Sequence, residues 1–186
     1  MSGQYSIAQY VDDLRRTTAG TVDENVIFEQ VGPLAKLLAS DDSWLEERFF
    51  QPDEETGFSA FLLHEENDHS LAVFAISWAP GMGIVPHDHG TWAIVVGVEG
   101  IERNIRYKRL DDKRNPDYAE LNVKDELNAG PGDLLCIKKG GIHAVRNDSE
   151  KVTVSLHTYG TNINYTIRSQ YDLEARTAKD FKIEIN

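Results

Sequence analysis

The sequence contains one cysteine, Cys136, among its 186 residues. A single thiol cannot close an internal disulfide or build a cysteine-based zinc knuckle. Cys136 is therefore expected to be a small buried core residue. No run approaches the roughly 18 apolar residues that a membrane-spanning helix requires. Cations are scarce, with 19 Lys and Arg against 31 Asp and Glu, a net charge of −12. Phosphate backbones need clustered cations, so a nucleic-acid partner is not expected. An anionic membrane surface is disfavoured for the same reason. The stretch MSGQYSIAQYVDDL carries Asp where a secretion signal needs an apolar run, so a cytoplasmic location is expected. What is present is a globular composition, 40% hydrophobic and 27% charged, rather than that of a disordered chain. The length predicts a single domain over 1–186 with a sizeable core.

Residues 1–50 read as helical. Ile7, Tyr10, Val11 and Leu14 follow the i, i+3, i+4, i+7 spacing of one helix face. Val26, Phe28, Val31, Leu34, Leu37 and Leu38 form a second such set. Pro33 falls inside it and predicts a break, with a new helix starting there. Asp41 or Asp42 is placed to cap a last turn through Trp44 and Leu45. From residue 56 onward, short runs rich in Val, Ile, Phe and Tyr alternate with turn residues: FSAFLLH, SLAVFAISW, TWAIVVGV, IERNIRYKRL, DLLCIKK, HAVRN, KVTVSLHTY, NYTIRSQY and FKIEI. That rhythm predicts an all-β jelly-roll barrel over 56–186, carrying an N-terminal cap of about three short helices.

Of six histidines, His87 and His89 stand two apart at a strand mouth. Alternation along a strand puts both imidazoles on one face, with Asp88 turned away. His143 follows a Gly140–Gly141 turn. Together Gly81, His87, His89, Gly100, Gly132, Gly140, His143 and Asn147 resemble the two-part motif of the cupin superfamily, G-x5-H-x-H-x3,4-E-x6-G and G-x5-P-x-G-x2-H-x3-N. The resemblance implies a double-stranded β-helix barrel whose two hairpins bring His87, His89 and His143 to one metal ion. Two positions depart from the motif. Its Glu would fall at Ala93 or Ile94, neither of which binds metal, and its Pro falls at Lys138. Three neutral imidazoles leave a divalent ion its full charge, which suits anionic ligands such as a thiolate. Zinc also accepts three histidines.

Ser155, His157 and Tyr159 alternate on KVTVSLHTYG and so share one strand face. Three inward hydrogen-bonding side chains need partners, and a Ser155–His157–Tyr159 relay supplies them. Three histidines with Ser-x-His-x-Tyr resemble the thiol dioxygenase family over roughly residues 58–172, and HDHGTW is similar to its bacterial branch. The resemblance implies a mononuclear non-haem Fe(II) that adds both atoms of O2 to the sulfur of a small thiol, giving a sulfinate. Tyr159 would then hydrogen-bond bound substrate or oxygen, with His157 and Ser155 behind it.

The family also speaks to the substrate. Cysteine dioxygenases of the animal type carry an Arg on the strand before the HDH hairpin, where this chain has Ala60. The 3-mercaptopropionate branch resembles this chain in an Arg after the relay tyrosine, here Arg168. A carboxylate needs such a fork, so 3-mercaptopropionate is the expected substrate. Cysteine, or a thiol without a carboxylate such as cysteamine, stays open, as does an Arg168 that is only a surface cation. The residue facing Tyr159 is expected to be Ala93 or a neighbour, so no Cys–Tyr crosslink is expected. Readings of another class are a metallo-cupin with different chemistry and a non-enzymatic ligand-binding cupin. The sequence assigns no oligomeric state.

Overall fold

The computed structural model describes residues 5–182. Two α-helices come first, α1 (Ile7–Ala19) and α2 (Glu24–Ala39). Ser6 caps α1 in a reciprocal box with Gln9, and Asp23 caps α2 through the Asn25 amide. These side chains satisfy donors that the first helical turn leaves open. Two 3-10 turns follow, Asp42–Trp44 and Glu47–Phe50, the first capped by Asp41. The cap is thus two helices and two short turns rather than three helices. Pro33 does not break α2. A proline inside a helix costs about 3 kcal/mol. Here its ring faces solvent while Val31, Ala35 and Leu38 stay buried against the barrel, and that continuous apolar face holds the helix together across it.

Eleven strands make two antiparallel sheets among the described residues. The first runs in the order β1 (Phe58–Glu65), β2 (Ala72–Trp78), β9 (Thr153–Tyr159), β4 (Ala93–Glu99), β7 (Leu134–Ile137). The second runs β11 (Thr177–Asp180), β10 (Ser169–Asp172), β3 (Gly83–His87), β8 (Ile142–Arg146), β5 (Glu102–Arg109), β6 (Leu121–Ala129). This is an all-β fold, a jelly-roll of two antiparallel sheets. β6 is absent from the strands the sequence predicts, because LNVKDELNA is an edge strand with mostly solvent-facing polar side chains. NYTIRSQY is not one strand: Ile163–Tyr165 forms a 3-10 turn, and β10 starts only at Ser169. The last strand lies earlier than FKIEI, at β11. Phe181 and Lys182 are outside it, and residues 183–185 fall beyond those described.

Two apolar cores flank the first sheet. Between the sheets lie Phe74, Ile76, Trp78, Val95, Leu135, Val145 and Tyr159. On the outer face, Tyr10, Leu14, Val31 and Leu38 of the helices cover Val73, Ala75, Ile94, Val96, Val154 and Leu156. The helices therefore seal the back of the sheet that carries the relay. Every residue of β9 is buried as a result, and the Tyr10 hydroxyl reaches Thr158 Oγ1 at 2.7 Å. No helix is long and apolar enough to cross a membrane among the described residues.

The motif positions other than the histidines serve the hairpins. Gly132 and Gly140 sit at φ +79° and +77°, a region open to glycine at no steric cost. Asn147 is fully buried and its side-chain amide donates to the Trp78 and Lys151 carbonyls at 3.0 and 2.7 Å. Asn147→Ala removes a buried donor from both carbonyls, of which Lys151's keeps the Ser149 hydroxyl, a loss of about 1–3 kcal/mol. Thermal unfolding is expected to fall by roughly 2–4 °C per kcal/mol; an unchanged melting temperature would refute this structural role.

Candidate metal centre

β3 and β8 pair so that His87 and His143 stand opposite each other in register. A ladder irregularity between Ile84 and His87, at Pro86, turns the chain so that His89 follows just beyond the strand. All three imidazoles are buried, and one ligand atom from each lies within 4.8 Å of the others. His89 Nε2 is 3.2 Å from both His87 Nε2 and His143 Nε2. Ligand nitrogens about 2.0–2.1 Å from a metal stand about 2.8–3.4 Å apart between the cis-octahedral and tetrahedral limits, so the spacing fits.

The protons fit as well. His87 Nδ1 donates to the Val85 carbonyl at 3.0 Å, and His143 Nδ1 to Asn104 Oδ1 at 3.3 Å. Each partner can only accept, so both Nε2 atoms turn lone pairs inward. His89 Nε2 could donate to just one of them. A cation satisfies all three. Burial also pushes the His87 imidazole down to about 4, and His89 and His143 well below their ordinary value, which keeps them neutral and able to ligate at physiological pH. No carboxylate among the described residues joins the cluster.

The Ser155, His157 and Tyr159 side chains are hydrogen-bonded in series on β9. Ser155 Oγ is 2.9 Å from His157 Nε2, and His157 Nδ1 is 2.9 Å from the Tyr159 hydroxyl. Tyr159 packs against His89, ring centroids 5.3 Å apart. Burial holds His157 neutral, its pKa pushed down to about 3, and raises that of the Tyr159 phenol. Ala93 is the residue in register with Tyr159 on β4. Cys136 lies on β7, partly buried against the helix-side core, with its thiol pKa raised by burial.

Arg168 is not a surface cation. It is 5% exposed, and its Nε and Nη2 have no hydrogen-bond partner among the described residues. Its guanidinium lies over the Phe181 ring, 4.6 Å from the centroid, and Phe181 in turn packs on His87. Asp88 holds this region to the metal hairpin. Its carboxylate accepts from the Gly90 amide, the Ser169 amide and the Tyr171 hydroxyl at 3.0, 3.3 and 2.8 Å. Asp88 thus turns away from the imidazoles, as alternation requires, and ties the start of β10 to the HDH loop.

The three histidines, His157, Tyr159 and Arg168 line one cavity with Phe58, Ile76, Trp78, Ile84, Val145 and Ile163. It is small, with about 30 Å³ open to the centre of a water-sized sphere, roughly two to three times what one water needs. A larger, open groove between the helices and the Trp92–Thr161 edge contains none of these residues. Ala60 packs on the inter-sheet core and does not line the cavity.

Sequence reasoning missed three contributors: Asn104 behind His143, Phe181 behind Arg168, and Glu102 behind Ser155. The Glu102 carboxylate is buried, and Ser155 Oγ lies 3.1 and 3.3 Å from its two oxygens. Glu102 and Asn104 alternate as the buried residues of β5. That inverted polarity was the available signal, the same one that marks β9.

No protein-family model matches the chain. Several solved structures resemble it remotely. An oxalate oxidase in complex with glycolate aligns at 16% identity and a TM-score of 0.46, over 66% of this chain and 62% of that one. The chain therefore spans less than two thirds of that relative's length. The cupin domain of an XRE-family transcriptional regulator from Enterobacter cloacae aligns at 18% identity and a TM-score of 0.40, over 55% of this chain and 95% of that one. A conserved protein with a double-stranded β-helix domain from Klebsiella pneumoniae aligns at 18% identity and a TM-score of 0.42, over 65% and 93%.

Proposed function

We propose that this chain is a non-haem Fe(II) thiol dioxygenase acting on a small thiol acid, 3-mercaptopropionate. The observation that carries the reading is Arg168. A buried guanidinium with two unpartnered nitrogens, in one small cavity with three ligating imidazoles, calls for an anionic group. An unpaired buried charge is costly, and a carboxylate matches the guanidinium fork. The remainder of the substrate must then place a soft donor at the metal, and three imidazoles without a carboxylate leave the ion charge to attract a thiolate.

Iron(II), when bound, supplies the redox chemistry that lets O2 react with a thiolate sulfur. The overall change is R–SH + O2 → R–SO2H, with both oxygen atoms retained on sulfur. The protein's part is positional. Arg168 holds the carboxylate, Phe58, Ile76 and Trp78 exclude water, and Tyr159 meets the reacting end with its hydroxyl held by His157. The cavity wall has no carboxylate to receive an α-ammonium, which favours 3-mercaptopropionate over cysteine. Ala60 in place of a second arginine points the same way.

Oxygen uptake by iron-reconstituted protein, measured with 3-mercaptopropionate, cysteine and cysteamine in parallel, tests this. One sulfinate per O2 with preference for 3-mercaptopropionate is expected. Preference for cysteine would overturn the carboxylate assignment, and no uptake with any of the three would overturn the activity.

A further inference from the structure

Behind Tyr159 the hydrogen-bond series does not end at Ser155. It ends at the Glu102 carboxylate on the neighbouring sheet, in the order Glu102, Ser155, His157, Tyr159, with every link between 2.9 and 3.3 Å. All four side chains are buried. Glu102 forms no ion pair among the described residues. Its register partner on β6 is Ala129. β9 brings Ser155 and, beyond it, the titratable His157 and Tyr159. The guanidinium groups on β5 go elsewhere, Arg103 to Asp148 and Glu126, Arg106 to Asp125 and Arg109 to Asp111.

Such a series has only two self-consistent arrangements of protons, because Ser155 has a single hydrogen and a neutral imidazole has one N–H. With Glu102 ionised, the Ser155 hydroxyl donates to the carboxylate and its oxygen accepts from His157 Nε2–H. His157 Nδ1 is then a lone pair that takes the Tyr159 hydroxyl proton, and Tyr159 offers the metal cavity only an acceptor. With Glu102 protonated, every link reverses. The acid donates to Ser155, Ser155 donates to His157 Nε2, and His157 Nδ1–H donates to the Tyr159 oxygen. The Tyr159 hydroxyl proton is then free to point into the cavity.

We propose that Glu102 is a positioning residue whose single proton sets the direction of this chain, and so decides whether Tyr159 meets the bound ligand as a hydrogen-bond donor or an acceptor. Burial, partly opposed by the Thr153 and then the Ser155 hydroxyl, pushes the Glu102 carboxyl up to about 7, so both arrangements are populated near neutral pH. A donor strengthens anionic character on a ligand atom beside it and an acceptor opposes it. The consequence for turnover rests on the thiol-oxidation reading above; the reversal of the chain does not.

The test is the tautomer of His157, read by 15N NMR on histidine-labelled, zinc-loaded protein between pH 5.5 and 8.5. The wild type is expected to pass from the Nδ1–H form at low pH to the Nε2–H form at high pH, with a midpoint near 7. Glu102→Gln and Glu102→Met are both expected to abolish that transition, and Ser155→Ala to disconnect it. In the iron-loaded enzyme, the pH profile of kcat should lose its limb near 7 in Glu102→Gln. A wild-type tautomer that stays fixed across the range would overturn the proposal without recourse to any variant, and so would an unchanged midpoint in Glu102→Gln. If the tautomer switches but no thiol supports oxygen uptake, the activity assignment fails and the chain reversal stands.

Discussion

Replacing His143 with Ala is expected to abolish metal binding at concentrations that saturate the wild type. The three Nε2 atoms converge because two are aimed by their own Nδ1 hydrogen bonds, to the Val85 carbonyl and to Asn104. Removing one ligand leaves two imidazoles 3.2 Å apart and no carboxylate within reach to replace it. A metal present at a hundred times its Kd stabilises the wild type by about 2.7 kcal/mol. At 2–4 °C per kcal/mol, the melting temperature should therefore rise by roughly 5–10 °C. His143→Ala should show no rise at the same concentration of Fe(II) or Zn(II). Asn104→Ala, which keeps all three ligands but frees the His143 ring, should cost a lesser ten- to a hundredfold in affinity. His64→Ala should cost nothing, since His64 pairs with Glu66 on the far side of β1 from the ligands. A His143→Ala protein that still melts higher with metal would place the ion elsewhere.

What the sequence disclosed follows from which residues obey a period. β2 and β4 are rich in β-branched and aromatic residues, and sandwiching between the helices and the opposite sheet makes them near-continuously apolar, so they are plain to read. The edge strand β6 has no such pressure, because its outer side is unpaired and its side chains face solvent; its strand state comes from β5 alone. Pro33 misleads for the opposite reason, since a local rule is overridden by a buried face that begins before it and continues after it. In the site, the three histidines sit at motif spacing and the β9 relay is visible as polarity reversed against its neighbours. Glu102 and Asn104 carry a similar reversal on β5, but it does not name their partners. Glu102 is one of 31 acidic residues, and nothing in its own strand says that Ser155, 53 positions later, will lie against it. Asp88 and Phe181 belong to the same class: their roles exist only once β10 has been folded back beside β3.

Arg168→Met is expected to make the protein more stable and a far worse enzyme. The guanidinium is buried, and burial lowers its pKa against the opposing charges of Tyr159 and Asp88. Two of its nitrogens have no partner among the described residues, and the group in contact with it is the face of Phe181, a cation–π contact of about 2 kcal/mol at most when desolvated. An apolar side chain of similar length removes the unpaired charge and keeps the stem's packing, and such exchanges are neutral or stabilising by about 1–4 kcal/mol. The same exchange strips the carboxylate of its counter-ion. Losing one partner of a buried, hydrogen-bonded charge pair costs about 2–5 kcal/mol, so KM for 3-mercaptopropionate should rise by roughly thirty- to several-thousandfold. Arg168→Lys should recover little, because a point charge on a flexible stem does not reproduce the planar fork. An uncharged thiol such as 2-mercaptoethanol has no carboxylate to lose, so its kcat/KM should change by less than tenfold, and that contrast separates recognition from misfolding. A rise in melting temperature together with a selective loss on the thiol acid is the signature of a residue kept for binding at the expense of stability. Equal losses on both thiols would instead make Arg168 a structural cation, and the carboxylate would have to be held by something else.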